Sequence, residues 1–516
     1  VWADATLVPE RATRRGLAAL LFHGIFSQSW DTLTAGAFLV GFALALGADN
    51  LTIGLLAAIP QISQLLQIPA VYLVERVRRR KLITVIFGLG NRTIWTLLAL
   101  IPLLARGQAG LVLLLTGILL ASSLGAFIGV AWNSWIRDFV PQPVMGRYFG
   151  ARLRVSVAFG MVVGLLGGFF VTYWRQAFPD SAIVAYTFVF GMAGLFAYLS
   201  LWFLSRVPEP RYDLPAQRVG LLTFLGRPLR DAAFRDLLIF LFLWSFGTNL
   251  ALPFFTVYML GRLGFSFASV IVFTTISQLS FMLFVNAWGR LDDRFGSRAV
   301  LYISGVLLVL TIIAFPFTNM PARHVMTVPM LVLIHIFGGM ATSGVNLSTT
   351  NIALKASPHG AASAYMTANG LVTAAAMASA PLISGALADF FSPHQLAVRL
   401  VWIAPAREME ASVLHFQGLD FVFFLAFVIG LFALYRLPFI REQGTVTEKL
   451  DIEHVARELT REVKGIASIA GLRNLAASPI TLASLAKEVL VNEPPRDSLD
   501  SAATDPGGGE KTGDGQ

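Results

Sequence analysis

Apolar runs of about 20 residues recur along most of this chain, and one of them, SFASVIVFTTISQLSFMLFVNAW, carries no charged residue. Each run is long enough to cross a bilayer core about 30 Å thick. In hydrocarbon the backbone N–H and C=O groups must find partners inside the protein, so runs of this kind are helices. Charged residues make up only 13% of the 516 positions, about half the share of a soluble domain. The chain reads as an all-α, polytopic membrane protein.

Several function classes fall away at once. Cysteine is absent, so neither a disulfide framework nor a thiolate metal site is available. A P-loop, an HExxH pair, a nucleophile elbow and a dinucleotide fingerprint are all missing, and the seven histidines are scattered. No enzyme, metal or cofactor is expected, and no ATPase module is recognisable. A net charge of +9 suggests nucleic acid in a soluble protein, but here the charge sits in loops and no nucleic-acid partner is expected. The start, VWADATLVPERATRRG, carries arginines without the short apolar stretch and small-residue site of a removable signal peptide.

Spans are expected at 17–47, 51–74, 82–104, 111–136, 153–174, 182–204, 236–260, 266–288, 299–318, 327–352, 364–388 and 418–438. The fold expected is therefore twelve transmembrane helices in two pseudo-symmetric six-helix bundles, 17–204 and 236–438, joined by a central loop at 205–235. Lysine and arginine crowd every second loop, among them Arg76 to Lys81, Arg137, Arg147, Arg206, Arg290, Arg294, Arg298 and Lys355. The other loops hold only Arg106, Arg175, Arg262, Arg323, Arg399 and Arg407. Short cytoplasmic loops are the basic ones, so residues 1–16 and the tail at 439–516 are both expected in the cytoplasm. Within the tail, Ile452, Val455, Leu459, Val463, Ile466 and Ala470 share one helical face, and the last 21 residues have the composition of disorder.

The basic loops also carry a repeat. GRLDDRFGSRAVL follows span eight, and VYLVERVRRRKLI follows span two at an offset of 218 positions. That offset lays Glu75 on Asp293, Arg76 on Arg294, Arg80 on Arg298 and Asn133 on Asn351. Internal duplication of this sort is common in secondary transporters. Gly289 and Gly296 are expected to allow close approach and turning there.

These segments resemble the major facilitator superfamily, whose loops between spans two and three, and often eight and nine, have the form G-x-L-x-D-R-x-G-R-R. Gly289, Leu291, Asp293, Arg294, Gly296 and Arg298 match it. The first copy departs, with Val71, Glu75 and Arg78 in place of the first glycine, the aspartate and the second glycine. RDFVPQPVMGRYFGAR, holding Asp138 and Arg147, is similar to the family's D-x-x-P-x-x-x-R-G segment with Gly146 and Arg147 transposed. The resemblance covers roughly residues 17–440 and implies fold rather than substrate. It further implies that Glu75 and Asp293 latch onto helix starts in the opposite half, at spans eleven and five, and hold an outward-open state. A contact of that kind is worth about 0.3–2 kcal/mol. The plainer alternative is a solvated loop obeying the charge rule.

Transport needs polar groups at mid-membrane depth, where they are costly unless they face a cavity or a partner. Two full charges lie well inside spans, Asp31 and Arg92, about 20 and 15 Å from the basic end at 1.5 Å per residue. Asp31 has three readings: a structural ion pair with Arg92, a proton-coupling carboxylate, or a substrate ligand. The further candidates for solute or coupling contacts are Gln28, Gln61, Gln64, Trp132, Asn133, Trp244, Asn249, Gln278, His335, Asn346 and Asn369. Interhelical hydrogen bonds use the same residue types. The expected function is a secondary transporter, acting as a monomer in a bacterial inner membrane and moving a small organic solute by alternating access with protons. Multidrug efflux, or a non-transporting scaffold or sensor of the same fold, are the alternatives.

Overall fold

The computed structural model describes residues 9–210, 226, 228–320, 322–358, 362–404, 407–440 and 457. The amphipathic face expected at 452–470 and most of the central loop lie outside them. Among the described residues ten helices are long and apolar enough to cross a membrane. Two further helical segments, spans one and three, are less apolar and pack in the same bundle. Span one lies against spans five and six, and span three against spans four and six. The arrangement is consistent with twelve crossings.

Span one is broken. Its helices Glu10–Thr34 and Gly36–Ala45 meet at Ala35, which is extended. Gly36 sits at φ +53°, a left-handed conformation that glycine adopts without a Cβ penalty. Span two runs Asn50–Ser63 and Gln67–Val77 through a single 3-10 turn, and begins with Asp49 accepting from the Thr52 N–H at 2.8 Å. Hydrogen bonds from the Thr52 side chain and backbone hold the Asp49 carboxyl below its usual range. That cap is therefore in place above the ordinary carboxylate pKa and is lost as pH falls through the lowered one.

Span three is Arg80–Leu98 with a short extension Ile101–Leu104, span four Gly107–Phe139, span five Met145–Ala177 and span six Ala185–Ser205. In the second half, span seven is Ala232–Ala251, prolonged through Phe254–Val257 and a π turn at Tyr258–Arg262. Spans eight to twelve are Phe267–Phe295, Ser297–Phe317, Thr327–Lys355, Ala362–Phe391 and Leu419–Arg436. Several helices run past the apolar windows. Gly289 therefore lies inside the helix of span eight, where an added Cβ would stand 4.0 Å from the Leu347 side chain, and only Gly296, at φ +85°, makes the turn.

The duplication extends to the backbone. Arg78, 218 positions before Gly296, is the one non-glycine residue with positive φ among the described residues, at +54°. Arg80 donates to the Pro210 carbonyl after span six, and Arg298 to the Ile440 carbonyl after span twelve. Each arginine ties down the chain leaving the last helix of its own half.

One element has no counterpart in the sequence reading. Between spans eleven and twelve, Gln395–Ala404 and Arg407–Gln417 form an antiparallel hairpin with an irregularity at Val398/Arg399. Its base is fixed where Arg262 donates to Gln417 at 2.5 Å and approaches the Asp420 carboxylate at 3.8 Å.

Candidate functional site

The two halves meet chiefly along two helix pairs, two with eleven and five with eight. At the end away from the basic loops both pairs are in tight contact. A Cβ on Gly54 would lie 2.2 Å from the Pro381 carbonyl oxygen, and one on Gly385 2.5 Å from that of Asn50. Asp389, at the end of span eleven, accepts from the Leu51 N–H at 2.9 Å and from Asn50 Nδ2 at 2.8 Å. It thereby caps the start of span two, where four N–H groups lack helical partners and the dipole is positive. In the other pair, Thr172 of span five accepts from the Ala268 N–H of span eight at 2.8 Å. Asn50 and Ala268 stand 218 positions apart, so the two caps occupy equivalent places in the repeat.

Toward the basic end the same pairs separate. A cavity of about 670 Å³ lies between Gln61, Gln64 and Val71 of span two and Met366, Gly370 and Met377 of span eleven. A second, of about 390 Å³, lies between Leu153 and Val157 of span five and Gln278, Phe281 and Met282 of span eight, backed by Phe315, His335 and Thr342. Its walls are mostly apolar.

The sequence candidates divide. Gln61, Gln64, Gln278 and His335 line these cavities. The His335 ring stacks on Phe273 with its Nδ1 2.7 Å from the Leu331 carbonyl, which leaves Nε2 to accept in the neutral tautomer. Asn133 and Asn346 are exposed, and Asn369 is half-buried. Asn249 bonds back to the Ser245 carbonyl. Trp244 lines neither of these cavities. It is buried beneath Gly305 of span nine in the second-half core.

Asp31 is exposed. It lies one turn past Gln28 and about 180° around span one from Phe22, which stacks on Phe203 of span six. The structure does not bring Asp31 and Arg92 together. Arg92 is buried, lies over the Trp30 ring at 4.8 Å, and has Asn91 Oδ1 3.4 Å from its Nη1. Nearer the basic end, Arg152 lies over the Trp132 ring at 5.6 Å and donates to the Leu20 carbonyl. His23 bonds the Ser200 hydroxyl at 2.7 Å.

At the basic loops, Glu75, Arg76, Arg147, Asp293 and Arg294 are exposed. Neither Glu75 nor Asp293 makes a hydrogen bond or ion pair with the opposite half among the described residues. The buried carboxylate is its neighbour Asp292, 1% exposed. It accepts from Ser297 (3.1 Å), Ser348 (3.3 Å), Asn351 (2.9 Å) and Lys355 (3.4 Å). In the first half the charges swap places: buried Arg80 pairs with Asp138 and approaches Glu209 at 3.8 Å. Asp292→Ala, which strands four donors, is expected to lower stability by about 2–4 kcal/mol. Asp293→Asn should change it by less than about 0.5 kcal/mol. Denaturation of the two purified variants side by side checks the contrast.

Asp389 and Thr172 escaped the sequence reading, and Asp292 and Arg152 entered it only as charges of the basic loops. The clue for Asp389 and Thr172 was a polar residue at the far end of a span, and attention to the basic loops passed over that end.

The comparisons with known proteins agree with this architecture. Residues 21–381 and 273–487 match the family model of the Major Facilitator Superfamily. No curated protein sequence matches the chain. Among solved structures, a mutant of the nucleoside transporter NupG is 13% identical with TM-score 0.62, covering 83% of this chain and 100% of that one. A bacterial homologue of the human lysosomal transporter Spinster, inward-facing and unoccupied, is 14% identical with TM-score 0.53 over 88% and 99%. A bacterial homologue of the iron transporter ferroportin, also inward-facing, is 12% identical with TM-score 0.55 over 84% and 99%. At such identities the likeness is one of fold.

Proposed function

Because the chain belongs to the Major Facilitator Superfamily and is a membrane transporter of small solutes, we propose that it works by alternating access, coupled to protons through Asp31, in a bacterial cytoplasmic membrane. The observation that carries this reading is the asymmetry of the two inter-half helix pairs. Each pair is closed at one end by a helix-start cap and small-residue contacts, and open at the other as a cavity. A cap of this strength, about 0.3–2 kcal/mol, biases a two-state equilibrium severalfold without locking it. When the halves rock, the basic end closes and the exposed Glu75 and Asp293 become available for the latches that the family resemblance assigns to them.

Cysteine is absent from the chain, so a paired Asn50→Cys, Asp389→Cys variant carries the only thiols. Bridging them is expected to stop solute flux in proteoliposomes, and a reductant to restore it. Full flux through completely bridged protein would end the alternating-access reading.

A further inference from the structure

We propose that the solute is an amphipathic organic anion whose charged group is received by Arg152. The proposal deepens the transporter reading and rests on it. Two guanidiniums lie inside the first half, and neither Arg92 nor Arg152 makes an ion pair with a carboxylate among the described residues. Arg92 is 5% exposed and its Nε has no hydrogen-bond partner. Trp30 Nε1, Trp132 Nε1 and Ser156 Oγ are likewise buried without partners. Guanidinium and indole N–H groups only donate, so no cation and no donor-only group satisfies them. A negatively charged, acceptor-rich group does. Unpaired charge within a span is costly, and where it persists it faces a cavity or a ligand.

Arg152 is the less buried of the two and so the reachable one. Its side chain crosses Gly24, where a Cβ would sit 2.5 Å from its Nε and 2.9 Å from Ser156 Oγ. The glycine leaves the space in which the guanidinium and hydroxyl stand side by side. Leu153 and Val157 occupy the next face of the same helix, about 100° around, and belong to the apolar cavity with Phe255 and Phe281. Span five therefore turns donors to one side and hydrocarbon to the adjoining side. A solute that uses both has a charged end and an apolar body. Asp31 lies seven residues beyond Gly24, about 10 Å along span one, so the transported proton and the solute charge have separate seats.

The test is equilibrium binding to purified full-length protein, using naphthoate and dodecanoate, their neutral amides, and the corresponding amines. At least one carboxylate is expected to bind about tenfold or more tighter than its amide, the worth of a hydrogen bond to a charged group, with the amine weakest. Which carboxylate wins separates an aryl solute from an acyl one. Arg152→Gln should erase the carboxylate-to-amide ratio, whereas Arg206→Gln, an exposed guanidinium 3.4 Å over Trp202, should leave it intact. Equal binding of amide and acid, preference for the amine, or an unchanged ratio in folded Arg152→Gln would overturn the proposal. If that variant does not fold, Arg152→Lys and Trp132→Phe take its place, each expected to weaken the carboxylate alone severalfold. Unchanged ratios in both would be equally fatal. Binding is read without flux: a protein that binds carboxylates but moves none sinks the transport reading and leaves this one standing.

Discussion

In proteoliposomes, the Asp31→Asn protein is expected to accumulate no more solute on an imposed proton gradient than empty liposomes do, while still exchanging solute across the membrane. Three features make the substitution a clean one. Asn keeps the shape and cannot take up a proton. Asp31 is exposed on its helix, so it holds no packing together. Arg92 stands over Trp30 and makes no ion pair with Asp31, so removing the carboxylate strands no cation and folding is expected to survive. The position itself favours coupling. Span one breaks at Ala35, one turn on, with Gly36 in a left-handed conformation, and broken helices recur at the ion and substrate sites of transporters. Unchanged proton-driven uptake would remove Asp31 from the coupling role.

Gly54→Val is expected to push the protein out of the conformation described here. Its Cβ would meet the Pro381 carbonyl oxygen at 2.2 Å and the carbonyl carbon at 3.0 Å. Both are backbone atoms, so no rotamer change relieves the overlap and spans two and eleven have to part at their closed end. Overpacking of this kind costs about 1–3 kcal/mol, enough to move a two-state balance by about tenfold or more. The readout is a single thiol at Ala58→Cys, a position that is 0% exposed one turn further along span two. Its labelling by an impermeant maleimide applied from the closed side should speed up by about that factor. Gly125→Val, with nothing within 4 Å of the added atom, should leave labelling unchanged. Equal rates in both would mean the Gly54 contact does not hold that end shut.

Much of the fold was legible because membrane helices are specified locally. Apolar length set the spans, and the 218-position offset found Arg80 and Arg298, which do equivalent work in the two halves. The hairpin at Gln395–Gln417 was missed because a search for runs of about 20 apolar residues passes over strands of ten and eleven residues that pair only with each other. Asn133 and Asn351, matched by the same offset, part company: one is exposed and the other donates to Asp292.

The site was less legible. Asp292 and Asp293 are neighbours in sequence and about 100° apart on the helix, so one carboxylate is sealed among Ser348, Asn351 and Lys355 while the other meets solvent. Hydropathy is a sum along the chain and is blind to that rotation. The sequence alone thus determined that the chain is helical, membrane-embedded and built of two like halves, since each of those follows from the length, charge and repetition of single segments. Only the tertiary structure decided that Asp389 and Thr172 cap the opposite half, that Arg92 turns to Trp30 rather than Asp31, and that Trp244 is core. Each of those depends on which face a helix turns toward a neighbour far away in the sequence.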